Sequence, residues 1–165
     1  MDRLILMRHG RAEPDSATGD DFDRALVPGG VRQAQVAGAT LADMGFRPDI
    51  ALVSPAVRAV QTWEAASSAF PDARSQVQAE LYNAEPGAVR WYAERAGRNN
   101  ATVMVVGHNP GLQELAVALL IEGSAPAGLI ARAQRNFPTA TAAVFLFDHN
   151  GRPAYDGLFF PERDD

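Results

Sequence analysis

The sequence predicts an α/β fold, a three-layer α/β/α sandwich with a mostly parallel central sheet, and three observations carry that prediction. Short apolar runs at Leu4–Met7 and Ile50–Val53, and a third over Thr102–Val106, suit strands buried on both faces. Between them lie stretches whose small and apolar residues repeat at helical spacing. Strand and helix alternate through most of the chain, which stacks helices on both faces of one sheet. At 165 residues, 47% of them hydrophobic, the chain has material for one core, so residues 1–165 are read as a single domain.

Leu4-Ile5-Leu6-Met7 is the first strand. Glu13 to Asp23, with Pro, Ser, Thr, Gly and four Asp, reads as a long loop. From Gly30 to Gly45, Val31, Ala34, Gly38, Leu41 and Gly45 recur at three-four spacing and predict an amphipathic helix. After the strand Ile50–Val53, Ser54-Pro55 offers an N-cap and a first-turn proline, so a helix is expected from there to about Phe70. Pro86 to Ala96 is expected to be helical and to pack through Val89, Trp91, Tyr92 and Ala96. The strand Thr102–Val106 stops at Gly107-His108-Asn109-Pro110-Gly111, after which Leu112, Leu115, Ala116 and Leu119 repeat helically. Ala143–Phe147 and Pro153–Phe160 read as a hairpin about His149-Asn150-Gly151, since Asn and Gly both tolerate positive φ. Trp63, Trp91, Phe145 and Phe147 are expected in the core or half in it, and Glu162 to Asp165 as a solvated end.

Composition removes several chemistries. There is no cysteine, hence no disulfide framework, no thiolate nucleophile and no Cys-based zinc site. All fifteen basic residues are arginine, which excludes Schiff-base chemistry and a Gly-Lys-[Ser/Thr] phosphate loop. A formal charge of -5 argues against nucleic acid as a partner. It leaves an anionic substrate open, because net charge is screened beyond about 8 Å and local arginines decide. No apolar run approaches the ~20 residues of a membrane span, and Met1-Asp2-Arg3 leads straight into a strand, so the expectation is a cytoplasmic protein with no membrane partner.

Open α/β sheets carry their sites beyond the carboxyl ends of the strands. Arg8-His9-Gly10-Arg11 follows the first strand, Ser54-Pro55 with Arg58 the second, and Gly107-His108-Asn109 the third. Two His and two or three Arg thus come from three strand ends with no carboxylate among them. A phosphoryl group accounts for each. His9 becomes a nucleophile if its imidazole is neutral, a form that nearby guanidinium groups favour. Arg8 and Arg58 fork onto phosphoryl oxygens, Gly10 permits close backbone approach, and His108 donates to an oxygen or brings charge. Water then releases phosphate from phosphorylated His9, with no metal and no cofactor required. Arg11 is either a further phosphate contact or a solvated loop residue. Ser54 reads as an N-cap rather than a nucleophile, Arg24 as a structural ion pair first, and Asp21-Phe22-Asp23 as loop.

Leu6-Met7-Arg8-His9-Gly10 resembles the signature of the histidine phosphatase superfamily, the group that includes cofactor-dependent phosphoglycerate mutases. Ser54-Pro55-Ala56-Val57-Arg58-Ala59-Val60-Gln61-Thr62 is similar to its second motif and Val106-Gly107-His108-Asn109-Pro110-Gly111 to its third. The three blocks stand in family order, and with the short chain they resemble the SixA-type phosphohistidine phosphatases most closely. The resemblance implies His9 as nucleophile with Arg8, Arg58 and His108 as the phosphate pocket. It also exposes a departure. Many members carry an acidic proton donor between the second and third blocks, where this chain has Glu80-Leu81-Tyr82-Asn83-Ala84-Glu85, with Asn83 at the acid's position. Glu80 and Glu85 are possible substitutes.

An alkoxide leaving group needs a proton from a general acid, whereas the imidazole of a phosphohistidine leaves more readily. The expected function is therefore a metal-independent phosphatase acting on phosphohistidine in a protein, such as a phosphotransfer domain. A phosphatase for small phosphorylated metabolites, with Glu80 or Glu85 as acid, is the alternative. A non-catalytic module that binds phosphorylated proteins ranks last, because His9 is present.

Overall fold

A computed structural model describes residues 1–161; the expectation for Glu162 to Asp165 lies outside the described residues. Six strands form one sheet: β1 (Arg3–Arg8), β2 (Ile50–Val53), β3 (Arg74–Val77), β4 (Thr102–Gly107), β5 (Ala142–Phe147) and β6 (Pro153–Phe159). Their order is β3-β2-β4-β1-β5-β6. The β2–β3, β2–β4 and β1–β4 pairings are parallel, while β1–β5 and β5–β6 are antiparallel. The sheet is mostly parallel, and its antiparallel part is the hairpin read from the sequence.

Alternation along β1 sorts the core into two halves. Leu4 and Leu6 point into one cluster, built with Leu112, Leu115, Leu119 and Phe145. Ile5 and Met7 point into the other, with Leu41, Trp63 and Phe70. The first cluster is covered by α3 (Pro86–Ala96), α4 (Gly111–Glu122) and α5 (Ala127–Arg135), the second by α1 (Pro28–Asp43) and α2 (Val57–Ala66). This is the three-layer sandwich. Among the described residues no helix is long and apolar enough to cross a membrane.

Four local expectations are corrected. The helix after β2 begins at Val57, not at Ser54, because Ala56 stays extended (ψ 139°). Its α-helical part ends at Ala66, and a 3-10 turn over Ser67–Ala69 completes the run to Phe70. Trp91 is 51% exposed, lying under the Arg95 guanidinium at 5.3 Å on the solvent face of α3. In the hairpin only Gly151 takes positive φ (76°), because Asp148 accepts the N–H groups of Asn150 and Arg152 and widens the turn. The elements that sequence patterning misses, β3 and α5, are also the least buried: all four β3 residues are exposed, and α5 buries only Ala133.

Close backbone contact joins the loop after β1 to α1. A Cβ on Gly10 would stand 2.5 Å from the Gly30 carbonyl oxygen, and one on Gly30 would overlap the Arg11 carbonyl. Neither obstacle is a side chain that can move aside. Gly30→Ala should therefore lower stability by about 1–3 kcal/mol, read as a drop in the urea midpoint. Gly87→Ala, in α3 with open space around it, should show no such drop. Equal midpoints for the two variants would mean that the contact gives way.

Candidate active site

The site lies where the central strands β2, β4 and β1 end side by side. His9 N–H donates to Gly107 O at 3.0 Å and Ser54 N–H to Val106 O at 3.0 Å, so the three strand ends are laced together. Arg8 and His9 come from β1, Ser54 from β2 and His108 from β4. Arg58 is the second residue of α2, near the positive end of that helix.

His9 is 6% exposed, and its Nδ1 lies 2.6 Å from Gly10 O. A carbonyl can only accept, so Nδ1 carries the proton and Nε2 keeps its lone pair in the neutral ring. Burial above all, then the positive charges of Arg58, Arg8 and Arg24, pushes the His9 pKa down to about 4, against an opposing pull from the Gly10 carbonyl. The guanidinium effect expected from sequence is present but second to burial. Gly10 N–H donates to Thr62 Oγ1 at 2.9 Å, and the Thr62 hydroxyl donates to Arg58 O at 2.7 Å. Thr62 thus ties the loop after the histidine to the first turn of α2.

His108 is 7% exposed, with its ring centroid 5.3 Å from that of His9. Its Nε2 lies 2.7 Å from Ser54 Oγ, while Nδ1 is buried without a partner among the described residues. Burial, followed by His9 and Arg58, pushes its pKa down to about 3, so the ring is neutral. With the hydroxyl as donor to Nε2, the ring proton sits on Nδ1. Ser54 is therefore a positioning group for His108 rather than a helix cap.

Arg8 donates through Nη1 to Phe137 O at 2.9 Å; burial and the charge of Arg58 lower its pKa. Arg58 is 4% exposed. Its Nη1 donates to Asp21 O at 2.7 Å and its Nη2 to Asp21 Oδ2 at 3.0 Å. The Nε atoms of both arginines are buried and unpartnered among the described residues. The expectation of a constellation free of carboxylates is thus corrected: the loop before α1 folds back and sets Asp21 on Arg58. Tyr82 donates to Asp21 Oδ2 at 2.7 Å and Arg24 Nε to Oδ1 at 3.0 Å. Those bonds, Tyr82 first, hold the Asp21 pKa down at about 2. Arg24 is the ion-pairing residue that the sequence suggested.

Gly10 faces Gly30, so its close approach serves the packing of α1. Arg11 is exposed, with its backbone N–H donating to Gln33 Oε1 at 2.9 Å. Glu80 is exposed; Gln78 donates to its carboxylate, and Tyr92 and Arg95 are its other partners, none of them a site group. Glu85 is exposed at the start of α3. Among the described residues no group of three or more His, Cys, Asp or Glu side chains is placed to hold a metal ion.

Sequence reasoning missed Asp21, Tyr82, Thr62 and the task of Ser54. Thr62 had a signal, since it lies four residues after Arg58 and so on the same helix face. Asp21 and Tyr82 had none, as their partners are brought together only by the fold.

Residues 4–91 match the histidine phosphatase superfamily (branch 1). An uncharacterized protein of Mycobacterium tuberculosis is 37% identical over 139 residues, which span 84% of this chain and 85% of that protein. The mitochondrial serine/threonine-protein phosphatase PGAM5 of Xenopus tropicalis is 37% identical over 71 residues, 43% of this chain and 25% of that one. Among solved structures, a protein assigned as the phosphohistidine phosphatase SixA of Agrobacterium tumefaciens superimposes with a TM-score of 0.84 at 30% identity, covering 97% of this chain and 98% of that one. The strand-end histidines, their arginines and these likenesses place the chain in the histidine phosphatase superfamily, branch 1, in its SixA-type form.

Proposed function

We propose that this phosphatase removes phosphoryl groups from phosphohistidine in a protein, such as a phosphotransfer domain, through a phosphohistidine intermediate on His9. The observation that carries this reading is the state of the carboxylate at the site. Asp21 is held ionised by Tyr82, Arg58 and Arg24, with a pKa of about 2, and so has no proton for an alkoxide leaving group. Glu80 and Glu85 are exposed, and the partners of Glu80 are Gln78, Tyr92 and Arg95 rather than the histidines or arginines of the site. An imidazole leaving group makes no such demand. Similarity along the whole chain to the SixA-assigned protein supports the same substrate class.

In this reaction His9 Nε2 attacks phosphorus as the substrate's P–N bond breaks, while Nδ1–H stays on Gly10 O and fixes the ring. The buried nitrogens of Arg8, Arg58 and His108 that lack partners are the groups a phosphoryl oxygen would satisfy. Water then attacks the phosphorylated His9. The ring leaves as neutral imidazole and the water's protons go to the released phosphate and solvent, closing the cycle without a metal or cofactor.

The ester reading keeps His9 and draws support from the partial likeness to PGAM5, a serine/threonine-protein phosphatase. Phosphate release in EDTA separates the two, using a phosphohistidine-bearing phosphotransfer protein and a panel of phosphate esters. Release from phosphohistidine, unaffected in Glu80→Gln and Glu85→Gln, is the expected result. Ester release that dominates and falls about 10²-fold in either variant would move the function to small metabolites. Binding of the phosphoprotein without any release would make the chain a recognition module.

A further inference from the structure

The reaction above leaves Asp21 unused, yet the fold aims three side-chain donors at it. Tyr82 and Arg58 meet one carboxylate oxygen and Arg24 the other. An anion seated on a phosphate-binding arginine repels the phosphoryl group, so a structural ion pair here works against the site unless it serves the substrate. The Asp21 side chain is also 52% exposed, with one lone pair left on Oδ1 for a further donor. Beside it the rings of Phe22 and Tyr82 meet edge to face at 5.1 Å, and Tyr82 meets the His108 ring at 5.7 Å, again edge to face. Phe22 is exposed. A fixed negative charge next to accessible aromatic rings is a place for a flat cation.

We propose that Asp21, flanked by Phe22 and Tyr82, is a specificity-determining residue that accepts the distal ring N–H of a protonated phosphohistidine. The proposal rests on the phosphohistidine reading above. In the transfer, a P–N bond forms to His9 Nε2 as the substrate's P–N bond breaks, and that electron pair stays on the departing ring nitrogen. If the distal nitrogen carries a proton, the ring leaves as neutral imidazole. Without that proton it must leave as imidazolate, a far poorer leaving group. By accepting the N–H, Asp21 favours the protonated ring and assists departure without giving up a proton itself. Both substrates bring a phosphoryl dianion that Asp21 repels, but a phosphate ester offers no such N–H to offset that repulsion.

The test is kcat/KM for a phosphohistidine protein and for p-nitrophenyl phosphate in wild type, Asp21→Asn and Asp21→Glu. Asp21→Asn is expected to lose about ten-fold or more on phosphohistidine, the worth of one charge-assisted hydrogen bond, while gaining on the ester. Asp21→Glu should keep part of the phosphohistidine preference. The ratio of the two activities does not depend on how much of a variant is folded. Equal losses on both substrates, or equal gains, would overturn the proposal, since Asp21 would then only support Arg58 or only block it. A wild type that releases nothing from phosphohistidine would overturn the reading beneath it as well.

Discussion

His9→Ala is expected to lower phosphate release by about 10⁴-fold or more on every substrate the wild type accepts. The magnitude follows from removing a nucleophile outright, which leaves only the binding and charge stabilisation of the other groups. Truncating a donor that acts beside it should cost less, about 10²–10³-fold for His108→Ala. The position of His9 makes the prediction specific. Its Nδ1 is committed to Gly10 O, so only Nε2 is available, and a covalent adduct must form there. Mixing wild type with a ³²P-labelled substrate and quenching within milliseconds should trap label on the protein. As a phosphoramidate, that label should survive alkali and be lost in acid, and His9→Ala should carry none. The removed ring is buried, so the variant should lose stability to the cavity it leaves, and circular dichroism would check that it remains folded. Residual turnover above about 1%, or label retained on the variant, would remove His9 from the role of nucleophile.

The parts of the site that could be read from the chain are those set by local pattern. Apolar runs name β1, β2 and β4, and a parallel sheet then brings Arg8-His9, Ser54 and His108 to one edge. What could not be read depends on pairs distant in sequence. Asp21 meets Arg58 across 37 positions and Tyr82 across 61. Nothing in a polar loop rich in aspartate distinguishes the one that will reach an arginine. Ser54 shows the same limit in another form. Ser-Pro after a strand is a sound capping signal, but Ser54 Oγ lies 2.7 Å from Nε2 of His108, 54 residues away, and the backbone N–H it accepts, at 3.4 Å, is that of Ala56, ahead of the helix rather than in its first turn. The strand β3 and helix α5 escaped for a physical reason too. An exposed edge strand reading Arg-Ser-Gln-Val has no core face to impose alternation, and a helix that buries one alanine has little stripe to detect.

Acid should destabilise the protein well before its carboxylates protonate. The unfolded chain takes up protons on His9 and His108 near pH 6.5, whereas the folded chain holds them neutral until about pH 4 and about pH 3. Between those limits the unfolded state binds more protons, so stability is fully present above pH 6.5 and is lost as pH falls. Each histidine contributes a slope of up to about 1.4 kcal/mol per pH unit, and His9 alone about 3 kcal/mol across its window. Below pH 4 Asp21 acts in the same direction, because its folded pKa is depressed to about 2. Urea unfolding at pH 7.5, 6, 5 and 4.5 would measure the fall, and the double variant His9→Ala, His108→Ala should flatten it. An unchanged slope in that variant would assign the acid sensitivity elsewhere. The same burial has an opposite consequence for catalysis. Molecules that remain folded at pH 5 still hold His9 as a free base, so the acid limb of kcat/KM belongs near pH 4 rather than 6.5. Stability and nucleophile supply therefore part company with falling pH. That divergence is expected when burial, more than neighbouring charge, keeps the imidazole neutral.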